Sequence, residues 1–223
     1  IPLADFERGT DVHWPQAAVH RQFHVADAVI GARALVNLPK LKTHALTTLT
    51  GALKNTFGVI PGFRKGEYHV THPDLDGFSR MLSDLNGLVR SSLVVMDAVQ
   101  AMEGNGPRGG TLVPLGLLIV SDDPVAVDAV ACRAAGIDAD RVPVLRMAEE
   151  AGIGCASAGR IELRGDPLEG ASVRRFALPP LHIARRLPAG MFRAAKNLVV
   201  PKPSIAASRC RRCGECVKAC PVR

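Results

Sequence analysis

Apolar and polar positions change rhythm several times along the chain. Ala34 to Leu38 is a short apolar run that stops at Pro39, which can neither donate to a ladder nor continue a helix. Beyond it Lys40, Lys42 and His44 recur at every second position, so an extended backbone sets all three on one side. From Leu46 the period lengthens: Leu46, Leu49, Leu53 and Phe57 make an apolar stripe at helical spacing, with Thr47, Thr50, Gly51, Lys54 and Gly58 opposite. A polar, glycine-punctuated stretch through Arg64, Lys65, Gly66, Glu67, Tyr68, His69 and His72 reads as a lid or binding loop. Pro73 then opens a helix with Asp74 and Asp76 in its first turn and Phe78, Leu82, Leu85 and Val89 on its core side.

Leu93 to Met96 and Leu115 to Val120 are continuous apolar runs, as expected for strands covered on both faces. The first is read as ending in Asp97, a carboxylate at a strand's carboxyl end, followed by a glycine-rich loop from Glu103 to Gly110 that holds Asn105. Asp123 and Pro124 predict the N-cap and first position of the next helix, with Asp128 in its second turn. Phe23 to Ile30 reads as a strand or short helix, residues 143–151 as a helix, and Arg160 to Arg164 as a peripheral strand. Strands separated by helices predict an α/β fold: a mainly parallel sheet with helices on both faces. The sequence divides into an α/β domain over 1–169, a basic linker over 170–204, and a small cysteine-bearing module from 205 to 223.

Composition narrows the function. With 223 residues, 47% hydrophobic and 22% charged, the chain is long enough for one sizeable core. No apolar run approaches the roughly 18–20 residues of a membrane span. Net charge is +7, but residues 1–170 hold 16 Lys and Arg against 20 Asp and Glu, whereas residues 171–223 hold 12 against one. The basic tail therefore suits an acidic redox partner or an anionic membrane surface. No nucleic acid is expected, because the single Trp and single Tyr lie outside that region and leave no stacking platform there. Ile1 and a C-terminus three residues after Cys220 lead us to expect missing sequence at both ends.

Cys210-x2-Cys213-x2-Cys216-x3-Cys220-Pro221 is the strongest chemical signal. It matches the bacterial ferredoxin run that holds a 4Fe–4S cluster, in which the fourth Cys ligates the other cluster of a pair. We therefore expect a truncated ferredoxin-like module here and two clusters in the full-length protein. Zinc favours paired knuckles with a longer spacer, and disulfides are strained in so compact a run; both are the weaker readings. Cys132 and Cys155 read as structural thiols.

Asn37-Leu38-Pro39-Lys40 with Lys42-Thr43-His44, followed by Thr50-Gly51-Ala52-Leu53-Lys54-Asn55-Thr56-Phe57-Gly58, resembles the core signature of domain-of-unknown-function family 362. Its members are often joined to ferredoxin-type motifs. Gly104-Asn105-Gly106-Pro107 and Asp123 to Asp128 resemble later family blocks. The resemblance names no reaction. The residues themselves suggest a small anionic ligand held by Lys40, Lys54, Asn55, Thr50, Gly51, Asn105 and Asp128, with His44, Lys42 and Asp97 as the catalytic group. Asp97 and Asp128 could instead hold a divalent metal. Three functions fit: an iron–sulfur oxidoreductase or electron-transfer component, a non-redox enzyme on an anionic metabolite with a structural cluster, or a scaffold relaying electrons. Iron–sulfur chemistry makes the cytoplasm the expected compartment.

Overall fold

The computed structural model describes residues 2–62, 64–168, 175–179, 208 and 210–218. Nearly all of the linker, including the basic amphipathic stretch 181–200, and Cys220 lie outside the described residues.

A hairpin of β1 (Gly9–His13) and β2 (Gln22–Ala26) leads into a single helical turn, α1 (Asp27–Ile30), so the stretch from Phe23 to Ile30 is both strand and helix. The chain then enters the main sheet as β3 (Val36–Asn37) and β4 (Lys40–His44), a single extended run interrupted at Pro39, whose carbonyl still accepts the Asp97 N–H at 2.9 Å. A tight turn returns it as β5 (Thr48–Thr50), and α2 (Ala52–Asn55) follows with a 3-10 turn. Next come α3 (Arg64–Thr71), α4 (Leu75–Leu88), β6 (Leu93–Glu103), β7 (Thr111–Ser121), α5 (Pro124–Ala134), α6 (Pro143–Glu150) and, in the cysteine module, a short α7 (Glu215–Lys218).

The class is α/β, with a mixed sheet. Strands β3 and β4 run parallel to β6, and β5 and β7 lie antiparallel against β4 and β6. Val94, Met96, Ala98, Ala101 and Val113 face a core shared with Leu53, Phe57, Phe78, Met81, Leu82, Val125 and Leu145 from the helices. Thus helices α2, α4, α5 and α6 gather on the face that carries those strand residues. Among the described residues no helix covers the opposite face, where Leu38, Leu112, Leu118 and Val120 are more than half exposed.

Local chemistry accounts for departures from the sequence pattern. Leu46 to Phe57 is turn, strand and short helices, not one helix. Thr48 takes a left-handed φ of 68° and donates its hydroxyl to the Arg141 carbonyl, while the Thr47 hydroxyl bonds the Leu49 carbonyl. The Thr47 bond is local and competes with helix continuation, and the Thr48 bond is a tertiary contact that fixes the turn. The expected lid is α3, held by buried Tyr68 stacked on Phe23 and edge-on to Phe57. The strand ending at Asp97 in fact runs on to Glu103, through an irregularity between Ala98 and Gln100, so Asp97 lies mid-strand. No strand forms at Arg160 to Arg164; Arg160 pairs with Glu149 and Arg164 with Glu162 at the surface. Helix α4 starts two residues later than expected from Pro73, with Asp74 as its N-cap and not in its first turn, accepting the Gly77 N–H at 2.7 Å; α5 starts as expected, capped by Asp123, which accepts from Val125 and Ala126.

Candidate functional site

Period-two alternation along β4 buries Leu41 and Thr43 and turns Lys40, Lys42 and His44 to the other side. The three basic residues there have different partners. Lys40 lies opposite Asp97 on β6 and donates to its Oδ2 at 2.6 Å. That bond, with the Val99 N–H on Oδ1, holds the Asp97 carboxyl below the usual carboxylate range. Lys42 lies opposite Thr50 on β5 and makes no ion pair among the described residues. The Thr50 hydroxyl is sealed from solvent without a hydrogen-bond partner. His44 accepts the Leu46 and Thr47 N–H groups on Nδ1 at 3.0 and 3.3 Å. With Nδ1 an acceptor, the neutral imidazole carries its proton on Nε2.

The second signature block makes a knot around α2. Asp128, fully buried on α5, accepts the N–H groups of Ala52 at 2.6 Å and Leu53 at 3.0 Å. Burial pushes its pKa up to about 7, against the opposing pull of those two donors. Gly51 exists for this approach: a methyl group there would lie 2.1 Å from Asp128 Oδ1. Asn37 donates to the Ala52 carbonyl and Asn86 to that of Leu53, while Asn55 donates to Asn37 Oδ1. One turn of helix therefore has its end groups satisfied by side chains from β3, α4 and α5. Gly51, Asn55 and Asp128, expected at a ligand, are occupied with each other and with the backbone. Asn37 and Asn86, absent from the expected site, complete the knot; a polar residue inside an apolar run was the available signal.

Lys54 extends from the same helix into different surroundings. Its ammonium lies 5.5 Å from the Phe57 ring centre and 5.9 Å from that of Phe78, on which His69 stacks at 4.5 Å. Burial, then the nearby charge of Lys65, lowers its pKa to about 8. Asn37 reaches α2 from the side of the strand opposite Lys40 and Lys42, so Lys54 and the β4 lysines belong to different faces of the sheet. The fold thus sorts the expected cations into two groups. Lys65 and His69, named in the expected lid or binding loop but not placed with Lys54, lie on α3 beside it.

The glycine-rich loop packs against β4. Thr43 donates its hydroxyl to the Gly104 carbonyl at 2.9 Å, and a methyl on Gly106 would fall 2.2 Å from the Thr43 carbonyl oxygen. This sets exposed Asn105 beside the end of the strand that carries His44. Cys132 is buried, and burial pushes its thiol far up, out of the range of a nucleophile.

In the cysteine module Cys210, Cys213 and Cys216 are exposed free thiols. Arg212 and Gly214 both take left-handed φ, 53° and 75°, on either side of Cys213, so the chain turns once in each interval between the three thiols. Soft thiol donors on such a loop fit an iron–sulfur cluster. No three His, Cys, Asp or Glu side chains among the described residues are gathered closely enough to hold a metal ion. Asp97 and Asp128 already have Lys40 and the α2 amides as partners.

Comparison with known proteins agrees with these motifs. The family model described as "Domain of unknown function (DUF362)" matches residues 1–133, and a "4Fe-4S binding domain" model matches residues 203–223. The latter supports an iron–sulfur, electron-transfer role with a 4Fe–4S cluster. The "Thylakoid-associated protein sll1697" of Synechocystis sp. is 31% identical over 159 residues, which is 71% of this chain and 49% of that protein. The chain thus spans about half the length of that relative. No solved structure matches. No described helix is long and apolar enough to cross a membrane. With its two signature blocks and the family match over residues 1–133, the chain belongs to domain-of-unknown-function family 362 and carries a C-terminal 4Fe–4S binding motif.

Proposed function

We propose that this chain is an iron–sulfur oxidoreductase component in which the cysteine module exchanges electrons with a small anion held on the α/β domain at Lys42. The observation that carries the ligand site is the contrast between neighbouring lysines. Lys40 is neutralised by Asp97, whereas Lys42, half-buried, has no counter-charge among the described residues and faces an orphaned Thr50 hydroxyl. An unpaired cation beside an unsatisfied buried hydroxyl is a combination that a carboxylate or phosphate would complete. His44, next on the same side, carries its proton on Nε2 and is suited to donate a hydrogen bond to a bound anion. A 4Fe–4S cluster, which Cys210, Cys213 and Cys216 would hold, supplies one-electron transfer when bound, with Cys220 serving a second cluster.

Calorimetric titration of the protein with inorganic phosphate and with a panel of small carboxylates tests the site. Lys42→Ala is expected to weaken the best of them at least tenfold, and Lys40→Ala less than threefold. Equal effects from the two substitutions would refute the assignment. The basic tail, in a relative of a protein named for thylakoid association, further suggests contact with an anionic membrane surface. Co-sedimentation with phosphatidylglycerol vesicles that disappears at high salt is the expected sign; salt-independent or absent binding would exclude it.

A further inference from the structure

The helix-free face of the sheet carries the molecule's most distinctive surface. Val36 pairs in register with Leu93, Val95 with Val120, and Asp97 with both Lys40 and Leu118. Their side chains, with Leu38, form an apolar patch across three strands with one ion pair in it, and Val99 and Leu112 extend it along β6 and β7. Val36, Leu38, Leu93, Val99, Leu112, Leu118 and Val120 are each 37–67% exposed. At roughly 170–200 Å² per residue they present about 650–760 Å² of apolar-residue surface, above the ~300–600 Å² of the largest patch on a typical monomer.

We propose that a second copy of this chain covers this face, the two sheets stacking in a two-fold homodimer. Three features select that occupant. First, the area fits: two such patches bury about 1,300–1,500 Å², within the ~1,200–2,000 Å² of a specific interface. Second, the charges are self-complementary. Lys40 and Asp97 cancel within one copy, and a two-fold axis near them also sets Lys40 of each copy toward Asp97 of the other. Lys42, in the row of Met102 and Leu112, adds a positive charge at one end of the face and stays at the rim of the stacked pair, and the chain's strongly basic tail finds no excess of acid there. Third, face-to-face stacking is favoured over edge pairing, because outer strand β7 carries Pro114 and a left-handed Gly116 (φ 68°), which disrupt ladder extension.

Sedimentation velocity on the full chain, anaerobic and under thiol reductant so that the exposed cysteines do not cross-link copies, tests the proposal. A reversible dimer is expected across a micromolar concentration series. Leu118→Arg and Leu38→Arg should each raise the dimer dissociation constant more than tenfold, while thermal melts stay within a few degrees of the parent because both side chains are exposed. A monomer at every concentration would overturn the proposal, as would a dimer that neither substitution weakens. Hydroxyl-radical footprinting of the Leu38, Leu112, Leu118 and Val120 side chains supplies an independent reading. Protection of these side chains in a monomer would assign the face to another segment of the chain, and protection only with neutral phosphatidylcholine vesicles would assign it to lipid; either result overturns the homodimer.

Discussion

Asp128 tests whether the second signature block is scaffold or ligand site. Asp128→Ala leaves the Ala52 and Leu53 N–H groups buried without an acceptor. Each orphaned buried donor costs about 1–3 kcal/mol, so the variant should lose about 2–5 kcal/mol after relief from burying a carboxyl is subtracted. Asp128→Asn keeps one acceptor oxygen and should lose less. Its pH dependence is the sharper test. The folded pKa of Asp128, about 7, lies above the ordinary 3.8, so between those values the folded state binds the extra proton. Its contribution to stability is full below pH 4 and declines as pH rises to 7. Asn does not titrate, so the wild-type advantage over Asp128→Asn should shrink by about 2–3 kcal/mol between pH 5 and pH 8. Urea unfolding followed by circular dichroism at both pH values measures it. If Asp128→Ala unfolds like the parent at both, while an anion or metal ion ceases to bind, the scaffold reasoning is refuted.

Three other substitutions probe the same arrangement. Gly51→Ala, whose methyl would sit 2.1 Å from Asp128 Oδ1, should destabilise by about 1–3 kcal/mol in the same assay; a neutral result would mean that α2 shifts freely. Lys54→Met removes a desolvated ammonium whose pKa of about 8 lies below the ordinary 10.5. The variant should therefore be more stable at pH 7 by about 1–3 kcal/mol, less whatever the Phe57 and Phe78 rings contribute, and that gain should fade as pH approaches 10. A loss at pH 7 that persists at pH 10 would contradict it. Asp97→Ala breaks a half-exposed ion pair and should change stability by less than about 1 kcal/mol in unfolding titrations; a larger loss would show that the pair is structural.

Much of the fold is visible in the sequence where local and tertiary preferences agree. Period two along Lys40, Lys42 and His44 gives their common side, Asp74 and Asp123 mark helix starts, and the cysteine spacing stands without any structure. The segment after His44 misleads because Leu46, Leu49, Leu53 and Phe57 satisfy helical spacing while the threonine hydroxyls among them bond the backbone and turn the chain. Helix α3 is hidden by its polarity: its anchor is the ring of Tyr68, a tertiary contact. The candidate site is legible by residue type but not by grouping. Gly51 and Asp128 read as ligand residues because glycine and carboxylate suit a bound group as well as they suit each other. Only the depth of α5 beneath α2 decides between these, and no local pattern encodes that depth.

The most direct measurement of the central claim is reoxidation of the reduced, cluster-loaded protein under strict anaerobiosis, followed by visible absorbance while small oxyanions are added one at a time. At least one should restore the oxidised spectrum stoichiometrically, and Lys42→Ala should slow that recovery at least tenfold without altering iron content. If no anion reoxidises the protein, or if Lys42→Ala recovers at the parental rate, electron exchange with a ligand at Lys42 is contradicted.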